Sequence, residues 1–204
     1  MLPFYLASAS PRRRELLLSL GLRFGVEPAD VDETVLPGEE APEHVVRLAG
    51  RKVATVAARL RDRGVAALVL AADTTVTIDG TILGKPADRA DALSMLRRLA
   101  GARHEVHTAC RLVRTDDGRA AAALASTGVL FHPWNERLAR WYVGTDEPMD
   151  KAGGYGLQER GVLFCSGIEG SWSNVVGLPL ECLPSLFAEV GDDLMSRMEG
   201  RKLG

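Results

Sequence analysis

The sequence predicts an α/β fold with a mixed β-sheet flanked by helices. Helical and strand-like segments alternate in the first half of the chain, which is typical of parallel strands connected by helices. Hairpin-like segments follow in the middle and indicate antiparallel pairing in the same sheet. The 204 residues are 46% hydrophobic, and neither an internal repeat nor a long linker interrupts them. We therefore expect a single domain over residues 1–204.

The first elements are predicted as a strand over residues 4–7, a helix from Pro11 and a short strand over residues 24–27. Ser10 can cap the helix, and Pro11 suits its first position because the missing N–H of proline is not needed there. The most regular helical pattern covers residues 42–60, where apolar side chains recur every three or four positions. This pattern predicts an amphipathic helix.

A continuous apolar run over residues 66–72 predicts a strand that is buried on both faces. Asp73 follows the run directly, so we expect it at the C-terminal end of that strand, where open α/β sheets bind ligands. The dipeptide Asp79-Gly80 then predicts a type I′ turn between two short strands. The remaining predicted elements are a helix over 89–100, β-segments over 105–115 and 121–131, a helix capped by Asn135, a loop over 144–156, a strand over 162–165 and a helix over 180–190.

Composition and charge exclude several classes of protein. A formal net charge of −2 argues against a nucleic-acid-coating protein, which needs a basic surface. No segment has membrane-spanning length, and the N-terminal apolar stretch is too short for a signal peptide. Cys110, Cys165 and Cys182 are odd in number and lie among apolar neighbours, so we interpret them as small core residues. We expect a cytoplasmic protein that binds neither nucleic acid nor membrane.

Three arginines at positions 12–14 stand in the first turn of the predicted N-terminal helix. Cations are disfavoured there by the positive end of the helix dipole. A bound polyanion would compensate, because free N–H groups, serine hydroxyls and guanidinium groups converge where phosphates bind at helix N-termini. The alternative is a solvated basic turn, but the surrounding sequence Ser8-Ala9-Ser10-Pro11 favours phosphate.

Two acidic positions are candidates for metal binding or proton transfer. Asp73 could hold Mg²⁺ or take a proton from water, with an ordinary turn aspartate as the alternative. Glu33 lies close to Asp30 and Asp32 and offers the hard oxygen ligands that Mg²⁺ prefers. An acidic loop is more often solvated surface, so Glu33 depends on support from another feature.

Three further polar residues are candidates for ligand binding. Lys85 is fixed between a glycine and a proline, which suits a phosphate contact on a constrained turn. Lys52 lies beside the apolar stripe of its helix and either extends its ammonium group to solvent or points into a cleft. Gln158 ends a glycine-rich run and could recognise a base edge through its amide. The alternative for that run is a flexible surface loop.

Six motifs occur in order along the chain and together resemble the Maf family of nucleoside triphosphate pyrophosphatases. They are Ser8-Ala9-Ser10-Pro11-Arg12-Arg13, Val31-Asp32-Glu33, Ala72-Asp73-Thr74, Gly84-Lys85-Pro86, Lys151-Ala152-Gly153-Gly154-Tyr155-Gly156-Leu157-Gln158 and Asn174-Val175-Val176-Gly177-Leu178-Pro179. The resemblance implies an α/β fold with two lobes around a central nucleotide-binding cleft. It also implies a divalent cation, Mg²⁺ or Mn²⁺, and hydrolysis of a nucleoside triphosphate to the monophosphate and pyrophosphate.

The resemblance also implies roles for individual residues. Asp73 would be the proton acceptor, or otherwise a metal ligand, and Glu33 would help to hold the metal. The implied phosphate contacts are Ser8, Arg13, Lys52 and Lys85. The implied base-selecting residues are Arg12, Thr74 and Gln158, which match the branch similar to dTTP/UTP pyrophosphatases rather than the branch that acts on 7-methyl-GTP.

Two other functions stay open at this point. One is a non-catalytic nucleotide sensor that regulates cell division, as the septum-formation label of the family suggests. The presence of Asp73, Glu33 and Lys85 favours an enzyme, because a sensor needs no catalytic base. The other is a hydrolase for modified pyrimidine nucleotides, which shares the reaction and differs only in substrate. The sequence leaves a homodimer open as an alternative to a monomer.

Overall fold

One mixed β-sheet organises the molecule, which a computed structural model describes over residues 1–199. Its strands are β1 (Phe4–Leu6), β2 (Gly25–Val26), β3 (Leu68–Ile78), β4 (Thr81–Leu83), β5 (Arg103–Arg114), β6 (Ala120–Phe131) and β7 (Cys165–Glu169). The strand order is β2-β1-β3-β5-β6-β7, and β4 pairs with β3. β1 runs parallel to β2 and β3, and the remaining pairs are antiparallel. The predicted α/β class with a mixed sheet is confirmed.

The helices of the described residues pack against this sheet. They are α1 (Pro11–Ser19), α2 (Ala41–Asp62), α3 (Arg89–Leu99), α4 (Glu136–Val143), α5 (Trp172–Val176), α6 (Leu183–Glu189) and α7 (Leu194–Glu199). As predicted, α1 begins at Pro11 with the Ser10 side chain accepting a backbone N–H, and Asn135 caps α4 in the same way. Within residues 1–199, every helix falls short of the length or the apolar character that crossing a membrane requires.

The two faces of β3 contribute to different parts of the core, because successive side chains of a strand point to opposite faces. Val69 and Ala71 pack with the apolar side chains of α2. Leu68, Leu70 and Ala72 pack on the other face with residues of α1 and α6. A separate aromatic cluster lies further along the sheet, beside α3 and α4. The functional site described below lies where these layers meet.

The predicted end of a strand at Asp73 is wrong, because β3 continues through that position to Ile78. The backbone of β3 pairs with β5 from Leu68 to Thr77, so this antiparallel partner carries the strand past the polar residue. The opposite edge of β3 is different: β1 pairs only with residues 68–70, and β4 only with residues 76–78. Among the residues that the structure describes, positions 71–75 have no strand partner on that edge.

The Asp79-Gly80 turn is confirmed, since both residues have the positive φ angles that a type I′ turn requires, 49° and 70°. The predicted strand over residues 162–165 is wrong. Residues Arg160–Phe164 form a 3₁₀ turn, and the strand begins only at Cys165. The start of this turn is held by Glu147, whose carboxylate accepts the backbone N–H of Gly161 at 3.2 Å.

The C-terminal region contains more helix than predicted. The expected loop over 144–156 includes 3₁₀ turns at Glu147–Asp150 and Ala152–Gly154, and the expected helix over 180–190 divides into a 3₁₀ turn and α6. Neither α5 nor α7 was predicted. Of the three free cysteines, Cys110 is buried as expected, while Cys165 and Cys182 are only half-buried.

Candidate active site

A pocket of about 360 Å³ opens beside the unpaired edge of β3. Its walls come from the start of α1, the middle of β3, the loop over residues 150–158 and the C-terminal end of α5 with the residue after it. The nine site residues predicted from the sequence all line it: Ser8, Arg12, Arg13, Glu33, Lys52, Asp73, Thr74, Lys85 and Gln158. Residues far apart in sequence therefore meet in one place.

The gap in strand pairing explains how neighbouring residues of β3 reach the same pocket. Asp73 and Thr74 point to opposite faces of the sheet because they are adjacent in a strand. Both nevertheless line the pocket, since no strand covers this edge of β3 among the described residues and the pocket extends around it. The site thus receives side chains from both layers of the fold.

Lys52 connects the two candidate carboxylates. Its Nζ donates to Oδ1 of Asp73 at 2.5 Å and lies 2.6 Å from Oε1 of Glu33. Lys52 and Asp73 are buried, whereas the Glu33 side chain is 49% exposed. Of the two alternatives for Lys52, the structure therefore selects the one in which the ammonium group points into the site.

The environment of Glu33 favours its ionised form. Partial burial acts to raise the pKa of Glu33, but the hydrogen bond and charge of Lys52, helped by the charges of Lys85 and Arg13, lower it by more. The net pKa of Glu33 lies below its ordinary value. A carboxylate is consequently available at neutral pH as an oxygen ligand.

The donor set suits a divalent cation that a ligand helps to hold. Asp73 and Glu33 both contact the Lys52 ammonium group and therefore lie close together, and Mg²⁺ is typically bound by one or two carboxylates together with substrate phosphates. Within residues 1–199, His, Cys, Asp and Glu side chains form no group of three or more that could hold a metal by themselves. The residues present therefore fit a shared site rather than a closed protein cage.

Arg13 places a buried positive charge in the wall of the pocket. Its Nε donates to the carbonyl of Gly177 at 2.8 Å, and its Nη atoms donate to the hydroxyls of Ser8 at 3.1 Å and Thr74 at 2.9 Å. These three partners are neutral oxygens. Burial lowers the pKa of Arg13, and the charge of Asp73 counteracts this effect at longer range. Such a guanidinium group is well suited to an anionic ligand.

Arg12 pairs with Asp150, a pocket residue that the sequence did not predict. Arg12 Nη1 donates to Oδ2 of Asp150 at 2.8 Å, and Nη2 donates to its backbone carbonyl at 3.3 Å. The other carboxylate oxygen of Asp150 accepts from Nζ of Lys151 at 2.9 Å. The only signal was the position of Asp150 next to the glycine-rich run, and nothing local indicates a partner 138 positions away.

Gln158 brings a buried polar atom without a hydrogen-bond partner to the pocket. Its Oε1 is buried and has no hydrogen-bond partner among the described residues, although buried polar groups are nearly always paired. Tyr155 and Leu157 add buried apolar surface to the same pocket. The hydroxyl of Tyr155 is bonded to Nε2 of His104 at 2.7 Å, so the ring contributes its apolar surface to the pocket.

The composition of this pocket defines a class of site. Buried and exposed cations line it together with two carboxylates that suit a divalent ion, which is the arrangement expected for a phosphorylated ligand. The sequence matches the model of the family described as "Maf-like protein" over residues 3–190. The chain therefore belongs to the Maf-like family, as the resemblance of its motifs implied.

Three similar proteins carry the same name. A "dTTP/UTP pyrophosphatase" of Pelotomaculum thermopropionicum is 46% identical over 190 residues, which cover 93% of this chain and 97% of that protein. Proteins of the same name from Anaeromyxobacter sp. and Burkholderia pseudomallei are 48% and 51% identical, covering 93% and 87% of this chain and 90% and 89% of those proteins. The chain is thus similar to the dTTP/UTP branch over most of its length.

Proposed function

We propose that this protein is a metal-dependent nucleoside triphosphate pyrophosphatase that hydrolyses dTTP and UTP to the monophosphate and pyrophosphate. The names of relatives 46% to 51% identical support the reaction and the nucleotides. The observation that carries the proposal is the buried guanidinium of Arg13, bonded only to neutral oxygens, beside the Lys52-bridged pair of Asp73 and Glu33. This arrangement combines a phosphate-binding cation with a candidate general base.

The phosphates would bind between Ser8, Arg13, Lys52 and Lys85. A buried cation without a charged hydrogen-bond partner is costly, and a phosphate oxygen would remove that cost. Lys85 is exposed and lines the same pocket, so it can follow the outer part of the triphosphate. These cations would neutralise the charge that develops on the leaving pyrophosphate.

Asp73 would orient the attacking water and accept its proton at the carboxylate. Lys52 donates to Asp73 and lies 2.6 Å from Oε1 of Glu33, whose ionised form it favours. These two carboxylates would hold Mg²⁺ or Mn²⁺, which, when bound, polarises the phosphate for attack. Asp73 thus stands as the catalytic residue, a metal ligand, or both.

Base recognition would involve Gln158 and Arg12. Thymine and uracil carry an N3–H donor between two carbonyl acceptors, whereas cytosine carries an acceptor at N3. The unpaired Oε1 of Gln158 suits the N3–H group, and the remaining N–H groups of Arg12 suit a carbonyl. The Thr74 hydroxyl is already bonded to Arg13 and lies 2.9 Å from the Thr108 hydroxyl. We therefore propose that Thr74 acts by positioning Arg13.

Several expectations from the sequence remain proposals. They are a single domain over residues 1–204, two lobes around the nucleotide, a cytoplasmic location, the absence of nucleic-acid and membrane partners, and a homodimer as the alternative to a monomer. Modified pyrimidine triphosphates also remain candidate substrates, because the atoms that Gln158 and Arg12 would contact are shared with many modified pyrimidine bases.

The test is pyrophosphate release from dTTP, UTP, CTP, GTP, 7-methyl-GTP and modified pyrimidine triphosphates, with Mg²⁺ or Mn²⁺ and with an EDTA control. Metal-dependent turnover led by dTTP, UTP or a modified pyrimidine is expected. Turnover led by a purine nucleotide would contradict the roles of Arg12 and Gln158 but not the reaction. If the folded protein binds nucleotides but hydrolyses none of them, the result would contradict the enzyme and support the nucleotide sensor.

A further inference from the structure

The ion pair between Arg12 and Asp150 joins two sides of the pocket. Arg12 belongs to the first turn of α1, and Asp150 ends the 3₁₀ turn Glu147–Asp150 on the opposite segment. The Arg12 side chain is 17% exposed and that of Asp150 57%. A carboxylate this close to a triphosphate site would repel the ligand unless cations neutralise it.

Lys151 supplies the second cation and is held firmly in place. The residue is buried, and its Nζ donates to the carbonyl of Glu147 at 2.6 Å as well as to Asp150. Its stem packs so closely on Gly156 that an added Cβ there would lie 2.6 Å from the Lys151 Cε atom. Lys151 therefore fixes one oxygen of the Asp150 carboxylate and leaves the other oxygen to Arg12.

The segment that carries Asp150 also carries Gln158. Glu147 closes this segment on itself, because its carboxylate accepts the backbone N–H of Gly161 at 3.2 Å. Gln158 lies within the closed segment. The positions of Arg12 and Gln158, the two proposed base-recognition residues, thus both depend on the same piece of backbone.

We propose that Asp150 is a positioning residue for nucleotide selection: it holds Arg12 at the orientation in which its free N–H groups meet the base. This inference rests on the proposed function of the pocket. Asp150 uses one N–H on each terminal nitrogen of Arg12 and leaves the others for the ligand. The burial of Asp150 acts to raise its pKa, but Lys151 and Arg12 lower it by more. The Asp150 carboxylate therefore stays charged while it is bonded to Arg12.

The experiment compares steady-state pyrophosphate release for UTP and CTP in the wild-type protein and in Asp150→Ala and Asp150→Asn. For Asp150→Ala, we expect the KM for UTP to rise about tenfold with kcat within about threefold, because a charge-assisted bond that orders a binding residue is lost. The preference for UTP over CTP in kcat/KM should fall by a similar factor. Asp150→Asn keeps the shape and an acceptor oxygen, so its effects should be intermediate.

A double variant and a matched control separate positioning from general damage. If Asp150 acts through Arg12, adding Asp150→Ala to Arg12→Ala should change KM and selectivity no further. The control is Asp146→Ala on the same segment, which removes an exposed pair with Arg89 whose bonds are 2.7–2.9 Å long. Asp146 does not line the pocket, so KM and selectivity should change less than twofold.

The remaining outcomes decide between the positioning role of Asp150, the proposed function and the loss of both. Unchanged KM and selectivity in both Asp150 variants, with an active wild-type protein, would overturn this inference and leave the proposed function intact. A lower KM for UTP would also overturn it, because Asp150 would then compete with the substrate for Arg12. Absence of pyrophosphate release from every nucleotide in the wild-type protein would remove the proposed function and this inference with it.

Discussion

Asp73→Asn should abolish turnover and leave the fold largely intact. Asparagine matches aspartate in shape and differs by one charge and one acceptor oxygen. In the native site, Lys52 donates to Asp73 at 2.5 Å and also lies 2.6 Å from Glu33. After the substitution, the ammonium group of Lys52 keeps Glu33 as a charged partner and the side-chain carbonyl of the introduced asparagine as an acceptor. No buried charge is left alone.

The two expected magnitudes differ widely. Exchanging a charged hydrogen bond for a neutral one costs about 1–2 kcal/mol of unfolding free energy, which lowers Tm by roughly 2–8 °C for a chain of this size. Loss of a general base lowers kcat by about 10²–10⁴-fold. Pyrophosphate release from dTTP and a thermal melt measure the two quantities on one preparation.

Lys52→Met is the informative comparison. This substitution removes the cation and leaves Asp73 buried with Glu33 beside it, so it should cost about 3–5 kcal/mol, more than Asp73→Asn. A kcat for Asp73→Asn within tenfold of the native value would refute the base assignment. Greater destabilisation by Asp73→Asn than by Lys52→Met would refute the description of the ion pairs.

Three further predictions concern metal binding, pH and packing. Glu33→Gln should raise the Mg²⁺ concentration for half-maximal pyrophosphate release about tenfold, and an unchanged Mg²⁺ titration would exclude Glu33 as a ligand. Burial, with a smaller effect of Arg103, lowers the pKa of His104 from 6.5 to about 4. Below about pH 6.5 the unfolded chain therefore takes up a proton that the folded chain does not bind until about pH 4. Stability should therefore fall as pH falls through this window, by up to about 3 kcal/mol, and pH-dependent melts of His104→Gln should lack that component. Gly161→Ala should lower the free energy of unfolding by about 1–3 kcal/mol, because its Cβ would lie 2.4 Å from a backbone oxygen. Gly50→Ala in α2, with open space around the Cβ, should instead raise it by about 0.5–1 kcal/mol. Denaturant unfolding measures both changes.

Elements with local signals were predicted correctly from the sequence. Ser10 with Pro11 marks the start of α1, and Asn135 marks the start of α4, because a capping side chain bonds to backbone a few residues away. The Asp79-Gly80 turn is equally local, since it depends only on the φ angles of two residues. In each case the atoms that determine the structure lie within about one helical turn of the signal.

Elements that depend on distant partners were not predictable in this way. The apolar side chains of residues 162–165 match a short strand, but residues Arg160–Phe164 form a 3₁₀ turn, whose start is held by the distant Glu147 carboxylate through the backbone N–H of Gly161. Asp150 shows the same limit at the site. Its neighbours in sequence describe a polar turn, whereas its partner Arg12 lies 138 positions earlier. Sequence pattern carries no record of such a pair.

Asp73 combines both situations and explains why the site lies where it does. The sequence argument placed it at the end of a strand, which is wrong, yet it does lie on an edge of β3 that has no strand partner at this position among the described residues. The edge is lateral: β1 pairs only as far as Leu70, and β4 begins to pair only at Val76. The short lengths of these two flanking strands, rather than the end of β3, leave the opening.

An opening of this kind has a chemical advantage over a strand end. The backbone of β3 stays paired with β5 through this stretch, so Asp73 and Thr74 are held on opposite sides of the same opening. Asp73 meets Lys52 from the helix on one face, and Thr74 meets Arg13 from the helix on the other. A base, a metal-binding carboxylate and a phosphate-binding arginine can therefore come from separate layers and still lie around one ligand.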